Sequence, residues 1–540
     1  MSEEKERIIS YVEEYEPIIP EKHPTMFEPQ VFLLGILMAV LGAIIGLELI
    51  TRTGITPNTS IIAAIIAMAL ARIPIGVLRS FRSVYRQNLM QTIISGATFG
   101  GANAVFLPIG ILWLFGRADL IPAMLIGASI GLFIDALVLY KVFDSKIYPA
   151  KGIWPPGIAT AECIIAGDRG GKRARLLVMG GIAGCVGQLL KIPMDIFGVC
   201  WIGNMWALTM FGVGLLARAY SPSLFGVDLN KLYVPHGVMI GAGLVALIQI
   251  MLAIAKKEKA KRVTEYTVSE REFGRGLGMG FSLFIVGAII LAILGGIYTE
   301  MSAGMLAGFV LFAASAAMVS ELIVGISAMH AGWFPAFATA LIFLVLGMII
   351  GFPPLPLAFL VGYTASTGPA FADMGYDLKA GWILRGRGKY QDFEKAGRRQ
   401  QFFAEYLGFA VAIVFILLFY KYYFAQDLVA PVDRVYVATI KAGASPEVLR
   451  YLLMWAIPGA IIQAIGGPDR QLGILFATGL LILNPRAGWT ALVSLAIRAA
   501  LIKKYGEGIQ NPMYVLAGGF IAGSALTTFT TATLKARATT

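Results

Sequence analysis

Runs of mostly apolar residues, each able to cross a bilayer as a helix of about 20 residues, recur from Val31 almost to the C-terminus with short polar connections. Residues 31–50, 60–78, 89–115 and 118–140 form such runs, and the texture continues through 176–190, 196–217, 233–255, 277–297, 303–324 and 402–420. The pattern predicts an all-α polytopic membrane protein. Residues 1–30 read as a cytosolic tail without the basic-then-apolar order of a cleavable signal, 31–255 as the first half of a bundle, and 256–276 as a basic cytosolic linker. Residues 277–534 form the second half and 535–540 a C-terminal tail.

Two stretches depart from the pattern. In 353–385 an apolar run with Tyr363 is interrupted at Gly368-Pro369 and then carries Asp373, Asp377, Lys379 and Gly381 before any hydrophilic loop begins. Proline and glycine end regular helix, and at bilayer depth a broken backbone is tolerated where it is buried in protein or lines a wet cavity. Charges beside such a break suggest a translocation site; the alternative is that the chain simply leaves the membrane there. The second stretch, Trp154-Pro155-Pro156-Gly157 through Glu162 to Gly167, is too short for a straight crossing and has basic residues on both sides, so it should dip in and return. Glu162 then enters the protein on a short helix, or sits at the interface paired with Arg169 or Lys172. If the basic loops near Lys141 and Lys257 share one side, one of the segments between them is partial.

The hydrophobic share is 57% and the charged share 14%, with mean hydropathy +0.75, which excludes an ordinary soluble domain. The net charge of +12 lies in loops, so it signals orientation and anionic lipid rather than nucleic acid. Cys163, Cys185 and Cys200 sit in apolar surroundings and imply no disulfide framework or metal finger. No cofactor or metal site is expected.

Further polar residues interrupt apolar sequence. Asn103 ends a segment of amides, hydroxyls and glycines from Asn88 that either faces inward or only packs. Glu321, Ser327 and His330 form another irregular spot, and Glu48 closes the first run. Gly127-Ala128-Ser129-Ile130-Gly131 matches a hydrolase pattern but lacks the strand-turn-helix setting and a histidine partner. It reads as helix packing, and an intramembrane hydrolase stands only as the reading from another class.

The stretch Pro155-Pro156-Gly157-x-Ala159-x-Ala161-Glu162, with Ala166-Gly167 and Gly170-Gly171, resembles a Pro-x-Gly-x-Ala-x-Ala-Glu stretch of the oligopeptide transporter family. Asp377-Leu378-Lys379-Ala380-Gly381, followed by Arg399 and Gln400, resembles its Asp-Leu-Lys-x-Gly signature; Ala430-Pro431 and residues 479–486 are also similar. That superfamily includes prokaryotic peptide transporters and yellow-stripe-like metal-chelate transporters. The resemblance implies about 14–16 spans in two related halves with broken or re-entrant segments, and proton-driven symport.

The leading expectation is therefore a secondary transporter that moves small peptides with protons across the plasma (inner) membrane by alternating access, N-terminus cytoplasmic. A metal chelate is the alternative substrate, and a homo-oligomer is allowed. Glu162, Glu321 and Asp377 are the expected proton-coupling residues. Lys379, Asp373, Tyr363, Ser327, His330 and Asn103 are the expected substrate-binding residues, with Lys379 and a neighbouring aspartate taking the two ends of a zwitterion. Pro155, Pro156, Gly157, Gly368, Pro369 and Gly381 are the expected backbone breaks.

Overall fold

The computed structural model describes the chain apart from residues 1–14, 54–59, 61–62, 65, 69–72, 74–75, 256–265, 333–335, 444–445 and 539–540. The described part is helical, and seven of its helices are long and apolar enough to cross a membrane. The early helices are α1 (Pro29–Thr53), α2 (Val84–Phe115), α3 (Ile121–Val142), α4 (Pro155–Arg169), α5 (Gly171–Leu189), α6 (Met194–Ile202), α7 (Met205–Phe225) and α8 (Val234–Ala255). The middle ones are α9 (Glu270–Leu294), α10 (Ala303–Ala331), α11 (Ala336–Ile350), α12 (Pro354–Ala365), α13 (Pro369–Leu384) and α14 (Gln391–Ala425). The last are α15 (Pro431–Ala442), α16 (Pro446–Arg470), α17 (Leu472–Leu481), α18 (Pro485–Tyr505) and α19 (Gln510–Ala538).

The broken element expected at 353–385 is the centre of the molecule. Every residue from Leu355 to Gly386 is buried. Gly368 takes φ 101°, a conformation open mainly to glycine, and Pro369 starts α13, where its fixed φ and missing N–H fit the first helical turn. Helix α13 packs against α2, α3, α4, α10 and α14. Gly381 lies inside α13 and makes no break. A Cβ there would run into the Gln401 and Arg385 side chains, so its role is close packing.

Two more breaks follow from local chemistry. The paired prolines begin α4 after Trp154, as the short segment at 154–167 predicts. The run at 196–217 is split: α6 ends at Ile202, and the Asn204 side chain caps α7 by accepting from the N–H groups of Trp206 (3.0 Å) and Ala207 (3.2 Å). Residues 256–265 of the expected linker are outside the described part, and its remainder is short because Ser269 and Glu272 form a capping box that opens α9 at Glu270.

Early and late helices interleave. α19 packs on α5 and α6, α18 on α6 and α7, α17 on α7 and α8, and α16 on α8, while α14 lies against α1 and α2. Glycines permit the closest of these contacts. Gly519 and Gly523 of α19 face Gly180, Gly181 and Cys185 of α5, and Gly42 and Gly46 of α1 face Ile94, Thr98 and Ala102 of α2. In each case a methyl group would meet backbone, so the helices hold by close van der Waals approach.

The extended segment before α1 crosses one end of this bundle. Ile18 O accepts from Tyr85 Oη at 3.0 Å, Gln400 Oε1 accepts from Met26 N at 3.0 Å, and Glu28 pairs with Arg86 at 2.7 Å. The His23 ring rests against Tyr85 and Phe393, with centroids 5.4 and 5.0 Å away. This ties α1 to α2 and α14.

Candidate functional site

Helix α13 carries its charged residues on different sides. Positions two apart on a helix point about 200° from each other, so Asp377 and Lys379 cannot share a face. Asp373 and Asp377, four apart, do share one. The expected zwitterion site combining Lys379 with either aspartate is therefore not formed; the aspartates turn towards α2 and α14, and Lys379 towards a cavity beside α4.

On the aspartate side, Asp373 Oδ1 accepts from Ser95 Oγ at 2.7 Å and Ser60 Oγ at 3.2 Å, and Asp377 Oδ1 accepts from Gln91 Nε2 at 2.6 Å. Glu405 of α14 completes the group: oxygens of Asp373, Asp377 and Glu405 lie within 4.8 Å of one another, and all three residues are buried. Three like charges so close repel strongly in a dry setting. Shared protons relieve that repulsion, and a cation held among the three would do so too. Gln401 fixes the helix behind them, donating to Asp377 O at 2.6 Å and Thr92 Oγ1 at 3.2 Å while its Oε1 accepts from Arg385 at 2.8 Å. Arg385 and Glu394 form a fully buried ion pair at 2.7 Å below this network.

A second acidic pair sits at the start of α13. Asp135 of α3 accepts from Phe371 N at 2.8 Å, and Glu321 of α10 faces Asp135. Both are completely buried.

On the lysine side a cavity of about 580 Å³ opens between α4, α7, α13, α18 and α19. Glu162 and Arg173 form an ion pair on its wall, so the partner is Arg173 rather than Arg169 or Lys172. Lys379 Nζ donates to Ala150 O at 2.8 Å and lies 4.4 Å from the centre of the Trp382 ring. Arg498 Nη1 donates to Cys200 O at 3.0 Å and Gly203 O at 2.6 Å. Both helix breaks that border the cavity are pinned to the end of α10: Trp154 N donates to Met329 O at 2.9 Å and Asn204 N to His330 O at 3.3 Å.

The expected site residues thus fall into separate places. Asp373 and Asp377 belong to the acidic cluster, Glu162 and Lys379 to the cavity, and Glu321 to the second acidic pair. Ser327 is buried in α10, and His330 contributes its backbone at the junction of the breaks. Tyr363 donates to Phe284 O at 3.1 Å inside the bundle. Asn103 donates to Phe99 O at 3.0 Å within a π-helical part of α2. Ser129 donates to Leu125 O at 2.6 Å within uninterrupted α3, so the hydrolase pattern there occupies plain helix. Asp135, Glu405 and Arg498 are the participants the sequence reading missed. Each is a lone charge inside an apolar run, the signal that could have found them.

A buried, broken helix with carboxylates on one side and a cation-lined cavity on the other, inside a multi-pass bundle, is an arrangement that membrane transporters use. The family model for the OPT oligopeptide transporter protein matches residues 29–273 and again 231–535. The chain belongs to that family, as its motifs indicated. Comparison with individual curated proteins gave no match.

Proposed function

We propose that the protein is a proton-coupled symporter of small peptides in the plasma (inner) membrane, with its N-terminus and basic loops on the cytoplasmic side. The observation that carries this reading is that one helix, α13, bears Asp373 and Asp377 in an acidic cluster and Lys379 in a cavity. Loading protons onto the cluster removes repulsion between α13 and α14, and a peptide carboxylate at Lys379 pulls on the opposite side of the same helix. Gly368 supplies the bend about which α13 can shift. Glu321 and Asp135 meet the helix at its start, and Glu162 lies on α4, whose Gly157 packs directly on Lys379. Glu162, Glu321 and Asp377 thus share the coupling role through contact with one moving part, at the boundary between the two access states.

The test is uptake of labelled tripeptide into proteoliposomes with and without an inward proton gradient. Accumulation should require the gradient, and peptide counterflow should not. Accumulation that ignores the gradient would overturn the proposal.

A further inference from the structure

The lining of the cavity is unbalanced in charge. Among the described residues that line it, Lys151, Arg173, Lys379, Arg387 and Arg498 stand with one carboxylate, Glu162, which is paired to Arg173. Two of the five cations decide the matter, because both are buried and both are held by neutral groups. Lys379 is 4% exposed and is held by a backbone carbonyl and the Trp382 face. Arg498 is 6% exposed and is held by two backbone carbonyls, and its Nε–H has no acceptor among the described residues. Among the described residues neither forms a salt bridge with a carboxylate. A buried cation with no carboxylate in contact is costly, even with Asp144 acting on Lys379 and Glu507 on Arg498 from further away, and side chains fixed by carbonyls are fixed to present that charge.

The two cations stand on different walls. Lys379 belongs to α13 beside the chain before α4, whereas Arg498 belongs to α18 beside the break between α6 and α7. Each is fixed to its own carbonyls, so each offers a ligand anion its own point of attachment. We infer that the cavity selects solutes with two separated anionic groups, one for Lys379 and one for Arg498. This rests on the transport reading above and names the substrate class of that site. An acidic peptide supplies such groups through a side chain and its C-terminus; a metal wrapped by a polycarboxylate supplies them through the chelator.

The experiment uses the full chain in proteoliposomes with an inward proton gradient and labelled Ala-Glu-Ala, Ala-Gln-Ala, Ala-Lys-Ala and ferric citrate. Wild-type protein should take up Ala-Glu-Ala about ten-fold faster than Ala-Gln-Ala, as expected for one added charge-assisted contact, and Ala-Lys-Ala more slowly still. In Arg498→Gln the acidic-to-neutral ratio should fall to about one, and Arg498→Lys should keep most of it. Uptake of ferric citrate instead of any peptide would support the anionic class and assign it to the chelate. Gradient-driven uptake with no preference for the acidic peptide would overturn the inference while leaving symport standing. Should no solute accumulate, the part of the tryptophan fluorescence of the detergent-solubilised protein that Trp382→Phe removes is titrated with the same probes. Quenching by Ala-Glu-Ala or ferric citrate, and not by Ala-Lys-Ala, supports the inference, and equal or absent quenching overturns it.

Discussion

Asp373 and Lys379 leave the same helix for different surroundings: Asp373 Oδ1 accepts from Ser95 Oγ at 2.7 Å, and Lys379 Nζ donates to Ala150 O at 2.8 Å. A rigid helix with an acidic cluster behind it and a cavity in front can transmit a change on one side to the other without any contact between them.

The ion pair of Arg385 and Glu394 should matter chiefly for stability. Both side chains are essentially unexposed, and Arg385 also holds Gln401. Arg385→Ala leaves Glu394 only its longer pair with Arg398 at 3.4 Å and removes the donor to Gln401, and should cost about 3 kcal/mol, read as a lower midpoint in thermal unfolding of the detergent-solubilised protein. An unchanged midpoint would show that the pair contributes little.

Helix approach should be sensitive to a single methyl group where backbone meets backbone. A Cβ at Gly519 would meet Leu177 O and the Gly180 Cα, whereas a Cβ at Gly274 meets nothing within 4 Å. Gly519→Ala should destabilise by about 1–3 kcal/mol, while Gly274→Ala should be neutral or gain up to about 1 kcal/mol through helix propensity. The same unfolding assay separates them.

Docking of the N-terminal segment should weaken in acid. Burial, then the nearby Arg385 charge, lowers the His23 pKa from the ordinary 6.5 to about 3. Glu394 opposes that shift and Arg86 adds to it. The released segment therefore takes up a proton near pH 6.5 that the docked one refuses until about pH 3. The contribution of neutral His23 to docking is full above pH 6.5 and falls away progressively as pH drops towards 3. Hydrogen exchange in residues 15–28 should accelerate between pH 7 and 5 after correction for intrinsic rates, and His23→Phe should flatten the change.

Glu162 should be needed for coupling. Its ion pair with Arg173 lies on the cavity wall. Glu162→Gln should reduce gradient-driven uptake at least about ten-fold while counterflow persists. Undiminished accumulation would remove Glu162 from the coupling role.

The sequence made the central element legible because its signals are local. Gly368-Pro369 marks the break, the acids after it mark a site, and the prolines at 155 and 156 mark the start of a short helix. The partners of those acids were hidden because they come from far along the chain: Ser60 is 313 positions from Asp373, and Glu405 reaches the cluster only through the packing of α14. The separation of Lys379 from Asp377 was implicit in their spacing, but a zwitterionic substrate suggested joining them. Gly381 resembled a break because glycine ends helices and also lets them pack, and only its neighbours decide between the two. Arg498 was obscured by Arg486, Lys503 and Lys504, which give its helix the ordinary pattern of a basic-flanked span.

Symport of the kind proposed requires that protons held by the acidic cluster move with the substrate. Its most direct test is peptide-dependent acidification of proteoliposomes loaded with a pH-sensitive dye, comparing wild type with Asp377→Asn. Wild type should acidify on addition of peptide, and the variant should exchange peptide in counterflow without moving protons. Peptide uptake by wild type without acidification, or undiminished acidification in Asp377→Asn, would rule out proton coupling through the cluster.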